Sequence, residues 1–207
     1  MRTLLWVSRH GTTTDSGKNI FRGQRDSSLD KDGFVGAHEQ KEFFKKHDWD
    51  KIFTSDMKRS RQTALIIAGK RDNDIMPPIK GLRPWNIGYI TGKDKKKYGP
   101  DMEAFINNPD MEIKNGETRN EFEAGRIKPL LAEAIKMGFE KGRPSIVVGH
   151  SSVNHALSHL INGEDGKHVA VKPGGIIEVY LEDGEIKLRA ILKPGKDDSS
   201  FAAGSSS

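Results

Sequence analysis

The chain has 207 residues, of which 34% are apolar and 30% charged, and its formal net charge is +5. This length suffices for one domain with a buried core, and the composition is typical of a soluble globular protein. The chain has no cysteine and no apolar run of membrane-spanning length, so we expect a cytoplasmic protein without disulfides, thiolate metal sites or membrane contact.

The first third of the chain alternates short apolar runs with amphipathic stretches. Residues 4–8 predict a strand buried on both faces, because their apolar residues do not alternate with polar ones. Residues 33–47 and 59–69 predict helices, and residues 50–55 predict a strand between them. A pair of prolines predicts a short extended segment over 75–82.

A polar insertion follows over 84–117, and we interpret it as a cap over a functional site. Its basic run at 92–99 predicts a solvated loop instead of a nucleic-acid patch, because Tyr98 is the only aromatic residue in that run. Thr118 and Glu121 have the spacing of a capping box, which predicts that a helix begins there and continues to about residue 137.

The last third of the chain predicts a strand, a helix and a hairpin in succession. Residues 144–150 form the clearest strand pattern, and residues 152–161 predict a helix after it. Residues 174–192 predict a β-hairpin with Asp183-Gly184 at its turn. The residues from 194 to 207 are of low complexity and predict a disordered tail.

This alternation of strands and helices predicts an α/β fold, a three-layer αβα sandwich with a mostly parallel central sheet and a C-terminal β-hairpin. We expect one domain over residues 1–193. In such sheets ligands bind beyond the carboxyl ends of the strands. Arg9 and His10 follow the first predicted strand, Arg59 lies just past the second, and His150 follows the third.

Two imidazoles and two guanidinium groups at one sheet edge favour a dianionic ligand. The planar fork of arginine matches phosphate oxygens, so Arg9 and Arg59 are suited to hold a phosphoryl group. A neutral imidazole can attack phosphorus, and a second imidazole can stabilise the charge on the transferred group. The sequence therefore indicates phosphoryl chemistry at this edge.

Several motifs, taken in their order along the chain, resemble those of the histidine phosphatase, or phosphoglycerate-mutase-like, superfamily. The Arg-His-Gly hallmark stands at 9–11, and the family's "FxG" and "DxxLxxxG" elements stand at 21–23 and 26–33. The element "SxxxRxxQTA" covers 55–64, and His150 lies in "VVGHSSV". The resemblance covers roughly residues 3 to 192.

The resemblance implies a role for each of these residues. His10 would carry a transient phosphohistidine, and Arg9, Arg59 and His150 would hold the phosphoryl oxygens, without a metal or organic cofactor. Residues of the neighbouring loops would contact the substrate. These candidate substrate-binding residues are Thr13, Ser16, Arg22, Gly23 and Ser151.

The general acid of the family is missing from its usual place. The expected "LxExxxG" reads "LRPWNIG" at 82–88, with Pro84 where the glutamate is expected. Glu117 is the first alternative by motif position, in the family's "GE-T/S" element. Asp15, Asp94 and Asp101 are further alternatives. A substrate with a good leaving group would also remove the need for an acid.

Two classes of function follow from these observations. The first is a phosphatase of small phosphorylated molecules or phosphoproteins; a phosphoglycerate mutase is disfavoured, since the longer insertion that would bind a second phosphate is absent. The second is a non-catalytic module that binds phosphorylated ligands. His155 and His159 have a metal-compatible spacing, but without an "HExxH" pattern we expect no metal site.

Overall fold

The computed structural model describes residues 1–191 and contains a mixed five-stranded sheet in the order β2-β3-β1-β4-β5. The middle strand β1 pairs in parallel with β3, which pairs in parallel with β2. The strand β4 is antiparallel to both β1 and β5. The strands are β1 (Arg2–Arg9), β2 (Ile52–Thr54), β3 (Ser145–Gly149), β4 (Ile176–Glu182) and β5 (Glu185–Ile191).

Helices cover both faces of the sheet and give the predicted three layers. Alternate residues of β1 face opposite layers: Trp6 packs with α1 and α2, whereas Leu5 and Val7 pack with α5 and α6. The α/β sandwich predicted from the sequence is therefore confirmed. The α-helices of the described residues are α1 (Lys31–Phe44), α2 (Lys58–Ala68), α3 (Lys95–Asn107), α4 (Arg119–Phe122), α5 (Lys128–Lys141) and α6 (Ser151–Asn162).

The C-terminal hairpin has the predicted turn. Asp183 and Gly184 both adopt positive φ angles, 53° and 81°. Two consecutive positive φ angles define the tight hairpin turn whose twist matches that of the flanking strands, and glycine reaches them without strain. The turn residues therefore fix the register of β4 and β5, in which Glu182 lies opposite Glu185.

The prediction of a solvated loop at 92–99 was wrong, because α3 begins at Lys95. Asp94 caps this helix, and its side chain accepts hydrogen bonds from the backbone N–H groups of Lys96 and Lys97. Phe105 is buried on the inner side of the helix. The sequence did not predict this helix because it contains Gly99 and Pro100, and both residue types disfavour a helix interior.

The long helix predicted from residue 118 is divided into three parts. The capping box of Thr118 and Glu121 is present and opens α4. A π-helical segment, Glu123–Ile127, then joins α4 to α5. Pro129 is the second residue of α5, directly after the π-helical segment. The prediction that this proline would kink or divide the helix agrees with the structure.

The insertion at 84–117 packs onto the main core. Its buried residues Trp85, Ile87, Ile90 and Phe105 belong to the same apolar cluster as Leu5 of β1. The tail predicted at 194–207 lies outside the described residues. Within residues 1–191, no helix is both long enough and apolar enough to cross a membrane.

Candidate active site

Strand register brings the two predicted histidines together. Arg9 of β1 lies opposite Gly149 of the parallel neighbour β3, so the next residue of each strand, His10 and His150, leaves the sheet at the same level. Their ring centroids are 5.2 Å apart. Arg59, in the first turn of α2, reaches the same point from the end of β2.

His10 is held as a neutral imidazole with Nε2 unprotonated. Its Nδ1 lies 2.6 Å from the carbonyl oxygen of Gly11, which can only accept, so Nδ1 carries the proton. Nε2 accepts a hydrogen bond of 3.1 Å from Nε of Arg59. Burial, with the positive charge of Arg59 next in importance, lowers the pKa of His10 well below its ordinary value.

His150 lies behind His10 in a hydroxyl-lined pocket. Its Nε2 is 2.9 Å from Oγ of Ser55 and 3.2 Å from Oγ of Ser60. Its Nδ1 is buried and has no hydrogen-bond partner among the described residues 1–191. Burial, followed by the proximity of His10 and Arg59, lowers the pKa of His150 well below its ordinary value. A bound anion would favour the protonated, positively charged form of this imidazole and so oppose that lowering of its pKa.

The arginines remain charged despite their burial. Burial is the main cause that lowers the pKa values of Arg9 and Arg59, each to about 10, so both keep their proton at neutral pH. Arg9 donates through Nη1 to the carbonyl of Val171 at 2.6 Å, and its buried Nε has no partner. Arg59 donates through Nη1 to the carbonyl of Arg25 at 2.7 Å. These carbonyls orient the guanidinium groups without neutralising them.

Two glycines of the family motifs allow the loop after β1 to approach α1 closely. A Cβ on Gly11 would lie 2.4 Å from the carbonyl oxygen of Gly33, and a Cβ on Gly33 would lie 2.0 Å from the carbonyl oxygen of Thr12. Neither position accepts a side chain without backbone movement. The glycines therefore fix the position of His10 relative to the start of α1.

The predicted substrate-binding residues divide into two groups. Arg22, Gly23 and Ser151 line the cavity that contains His10. Thr13 and Ser16 do not line it, and the backbone N–H of Thr13 donates to Oγ of Ser16 at 2.8 Å. These two residues shape the loop and are not in the cavity wall.

The cavity above His10 has a volume of about 360 Å³ and lies against α6. This is the size range of small-molecule sites. The insertion at 84–117 contributes one wall of the cavity. That wall is contributed by Pro84, Trp85, Ile87, Lys95, Met102 and Ile106.

Glu117, the first alternative for the general acid, is not brought to this cavity. Its carboxylate forms a two-point ion pair with Arg126, with Nε 3.2 Å from Oε2 and Nη2 in contact with Oε1. Oε1 also accepts the backbone N–H of Asn86 at 2.8 Å. Arg126 further donates to the carbonyls of Gly81 and Arg83. The pair therefore connects the loop before the insertion to the π-helical segment.

We expect Arg126→Met to lower the free energy of unfolding by about 2–3 kcal/mol, because it removes the cation that pairs with a partly buried carboxylate and leaves two carbonyls without their donor. Glu117→Gln should cost less and should leave kcat/KM within about twofold for aryl and alkyl phosphates. Denaturant unfolding and turnover measure these effects, with Arg143→Met in an exposed ion pair as the control. A selective loss on alkyl phosphates in Glu117→Gln would instead identify Glu117 as the acid.

The other acid candidates also have structural partners. Asp15 pairs with Lys18 and Arg25, Asp94 caps α3, and Asp101 accepts from the hydroxyl of Tyr89 at 3.0 Å. None of these aspartates is in the cavity wall.

Glu123 is the only acidic residue among the described residues that line the cavity, and the sequence did not indicate it. The Arg-x-x-x-Glu spacing of Arg119 and Glu123 is typical of an ordinary helix surface. The placement of Glu123 in the cavity wall is marked by its hydrogen bond with His159, which lies 36 positions further along the chain.

The buried histidines predict a loss of stability in mild acid. The unfolded chain takes up protons on histidine below about pH 6.5, whereas the folded chain, with both pKa values lowered, does not. The free energy of unfolding should therefore fall from pH 6.5 to pH 5, by up to about 1.4 kcal/mol per pH unit for each histidine. In His150→Gln the slope should be shallower by that amount; parallel curves for the variant and the native chain would contradict this account.

His155 and His159 of α6 have the metal-compatible spacing noted in the sequence. Over residues 1–191, no group of three or more histidine, aspartate or glutamate side chains is arranged to hold a metal ion. His155 instead stacks on His168, with ring centroids 3.7 Å apart, and His159 contacts Glu123.

Comparison with known proteins identifies the class to which this fold and site belong. The family model of the histidine phosphatase superfamily (branch 1) matches residues 5–192, and the chain belongs to that superfamily. A 2,3-bisphosphoglycerate-dependent phosphoglycerate mutase of Cytophaga hutchinsonii is 29% identical over 181 residues, which cover 83% of this chain and 84% of the mutase.

Solved structures share the fold at lower identity. A mycobacterial glucosyl-3-phosphoglycerate phosphatase superposes with a TM-score of 0.73 at 22% identity, over 92% of this chain and 98% of that protein. The alpha-ribazole phosphatase of Shigella flexneri superposes with a TM-score of 0.74 at 20% identity, over 91% and 95% of the two chains. These two likenesses show that the chain shares its fold with the two phosphatases.

Proposed function

We propose that the chain is a phosphatase that hydrolyses small phosphomonoesters through a phosphohistidine on His10. The observation that carries this proposal is the state of His10: a neutral imidazole, protonated on Nδ1, whose Nε2 lone pair meets only Arg59. The cavity of about 360 Å³ favours a small molecule over a phosphoprotein as the substrate.

In the first step, a phosphoryl oxygen replaces Nε2 of His10 as the acceptor of the Arg59 hydrogen bond. The freed Nε2 lone pair attacks phosphorus, and the bond from phosphorus to the leaving oxygen breaks. Arg9, Arg59 and His150 stabilise the charge on the phosphoryl oxygens. The leaving oxygen takes a proton from water or from an acid within hydrogen-bond reach.

In the second step, a water molecule attacks phosphorus on the face opposite to His10. The bond between phosphorus and Nε2 breaks, His10 returns to its neutral form, and orthophosphate leaves. Because the imidazole is again unprotonated at Nε2, the next cycle needs no separate reactivation. The hydrogen bond from Nδ1 to the Gly11 carbonyl keeps the same tautomer throughout.

The second candidate is a module that binds phosphorylated ligands without turnover. The observation in its favour is Pro84, a cavity-lining residue at the position where the resemblance leads us to expect the acid. The presence of His10, the proposed nucleophile, argues against this second candidate, because binding alone does not need a nucleophile.

Turnover of an aryl phosphate separates the two functions. We expect the native chain to hydrolyse 4-nitrophenyl phosphate in the presence of a metal chelator, with orthophosphate as a competitive inhibitor. Orthophosphate binding measured by calorimetry without any turnover would reject the phosphatase and leave the binding module.

A further inference from the structure

The cavity extends beyond the His10 site along one face of α6. Ser151, Ser152, His155 and His159 all line it, and the last two are one helical turn apart. At 1.5 Å per residue, His159 lies about 13 Å along the helix axis from His150. If phosphorus is bound at His10, as the proposed function requires, this far end receives the alcohol part of the substrate.

Glu123 lies at the far end of the cavity, and only one of its two carboxylate oxygens has partners. Its side chain is only 7% exposed, and Oε2 accepts a hydrogen bond of 2.8 Å from Nδ1 of His159. The same oxygen is 3.7 Å from Nζ of Lys128. The second oxygen, Oε1, accepts no hydrogen bond from any of residues 1–191. It is not sealed from solvent. The carboxylate therefore has one oxygen fixed and one free.

An ionised carboxylate only accepts hydrogen bonds, so its free oxygen selects donors. A hydroxyl or amino group of a ligand satisfies it, whereas a ligand carboxylate or second phosphate would be repelled by it. Glu123 also begins the π-helical segment Glu123–Ile127, an irregularity that occurs often at functional sites.

The neighbouring side chains agree with recognition of a polar, uncharged group. Burial, with the proximity of His168 next, lowers the pKa of His155 to about 4, so its imidazole is neutral at pH 7. A neutral imidazole both donates and accepts hydrogen bonds. Arg119, a cation in this part of the wall, is paired through Nη2 with Glu164 at 3.2 Å, whereas its buried Nε has no hydrogen-bond partner within residues 1–191 and can donate to a ligand oxygen.

We propose that Glu123 is the specificity-determining residue for the alcohol part of the substrate. Its free oxygen binds a hydroxyl or amino group of that part, and the preferred substrates are phosphomonoesters of hydroxylated or amine-bearing small molecules. Phosphates that carry a second anion at that end are disfavoured. Glu123 is fixed to His159 at the far end of the cavity, so the proposal gives it no part in protonating the oxygen bonded to phosphorus, which needs hydrogen-bond contact.

A matched pair of substrates tests this proposal. Sorbitol 6-phosphate and 6-phosphogluconate have the same carbon skeleton and differ at the far end, which is a hydroxymethyl group in one and a carboxylate in the other. Phenyl phosphate has neither group and reports on the His10 site alone. We expect the native chain to show a kcat/KM at least tenfold higher for sorbitol 6-phosphate than for 6-phosphogluconate.

In Glu123→Gln, this preference should fall about tenfold or more, mainly through KM, because a charge-assisted hydrogen bond is lost. Turnover of phenyl phosphate should stay within about twofold. Glu133→Gln, an exposed glutamate of α5, is the matched control and should change neither value. Equal losses on all three substrates in Glu123→Gln would show a merely structural role and overturn the proposal, as would a native chain without the preference.

Binding distinguishes failure of this proposal from failure of the proposed function. If the native chain turns over none of the three substrates, the phosphatase is rejected, and calorimetry then measures the Kd of each polyol phosphate. A Kd for sorbitol 6-phosphate that is about tenfold weaker in Glu123→Gln would still support the subsite. Equal Kd values in the native chain and the variant would overturn it.

Discussion

We expect the His10→Asn variant to hydrolyse 4-nitrophenyl phosphate at least about 10³-fold more slowly than the native chain. The change removes the nitrogen that attacks phosphorus, so no covalent intermediate forms. Asparagine places an amide nitrogen near the position of Nδ1, where it can still donate to the Gly11 carbonyl. The fold should therefore survive the change, and circular dichroism and thermal unfolding check that it does.

His38→Asn is the matched control for that variant. His38 is exposed on α1 and lies outside the cavity wall, so its loss should leave kcat unchanged. A folded His10→Asn protein that retains more than about a tenth of the native rate would show that another residue is the nucleophile or that water attacks directly.

The second large effect concerns the leaving group. With Pro84 at the expected place of the acid, an alkyl leaving oxygen departs without a positioned proton donor, whereas a phenolate needs none. We expect kcat/KM for alkyl phosphates to lie about 10²–10⁴-fold below that for aryl phosphates. A series of phosphates whose leaving groups differ in pKa measures how kcat/KM depends on the leaving group.

Pro84→Glu should reduce that dependence. The new carboxylic acid lies in the cavity wall, and we expect it to raise kcat/KM for alkyl phosphates by about tenfold or more while aryl phosphates change little. Pro78→Glu, at an exposed position outside the cavity, should have no such effect. Equal native rates on alkyl and aryl phosphates would contradict this account and show that another group already supplies the proton.

The sequence predicted the framework of the site because local patterns determine it. Apolar runs marked β1 and β3, and the residues that follow parallel strands, such as His10 and His150, must meet at one sheet edge. Asp183 and Gly184 marked the hairpin for a similarly local reason. Each of these features depends on residues that are close together in the chain.

The far end of the cavity could not be predicted in this way. Glu123 enters the wall because a π-helical segment interrupts the helix and because His159 of α6 approaches it. Glu117 matched a family motif, but the structure pairs it with Arg126, a partner that the motif does not include. α3 was missed because Gly99 and Pro100 outweighed the capping signal of Asp94. These outcomes depend on packing between segments that are distant in sequence.

The central claim is that His10 carries the phosphoryl group, and trapping that group tests it most directly. Native protein would be mixed with excess 4-nitrophenyl phosphate, quenched in alkali during turnover, and analysed by mass spectrometry of its peptides. We predict one phosphate on the peptide that contains His10, at Nε2, and none on that peptide in His10→Asn. Steady turnover without a phosphorylated histidine, or with the phosphate on a different residue, would contradict the mechanism.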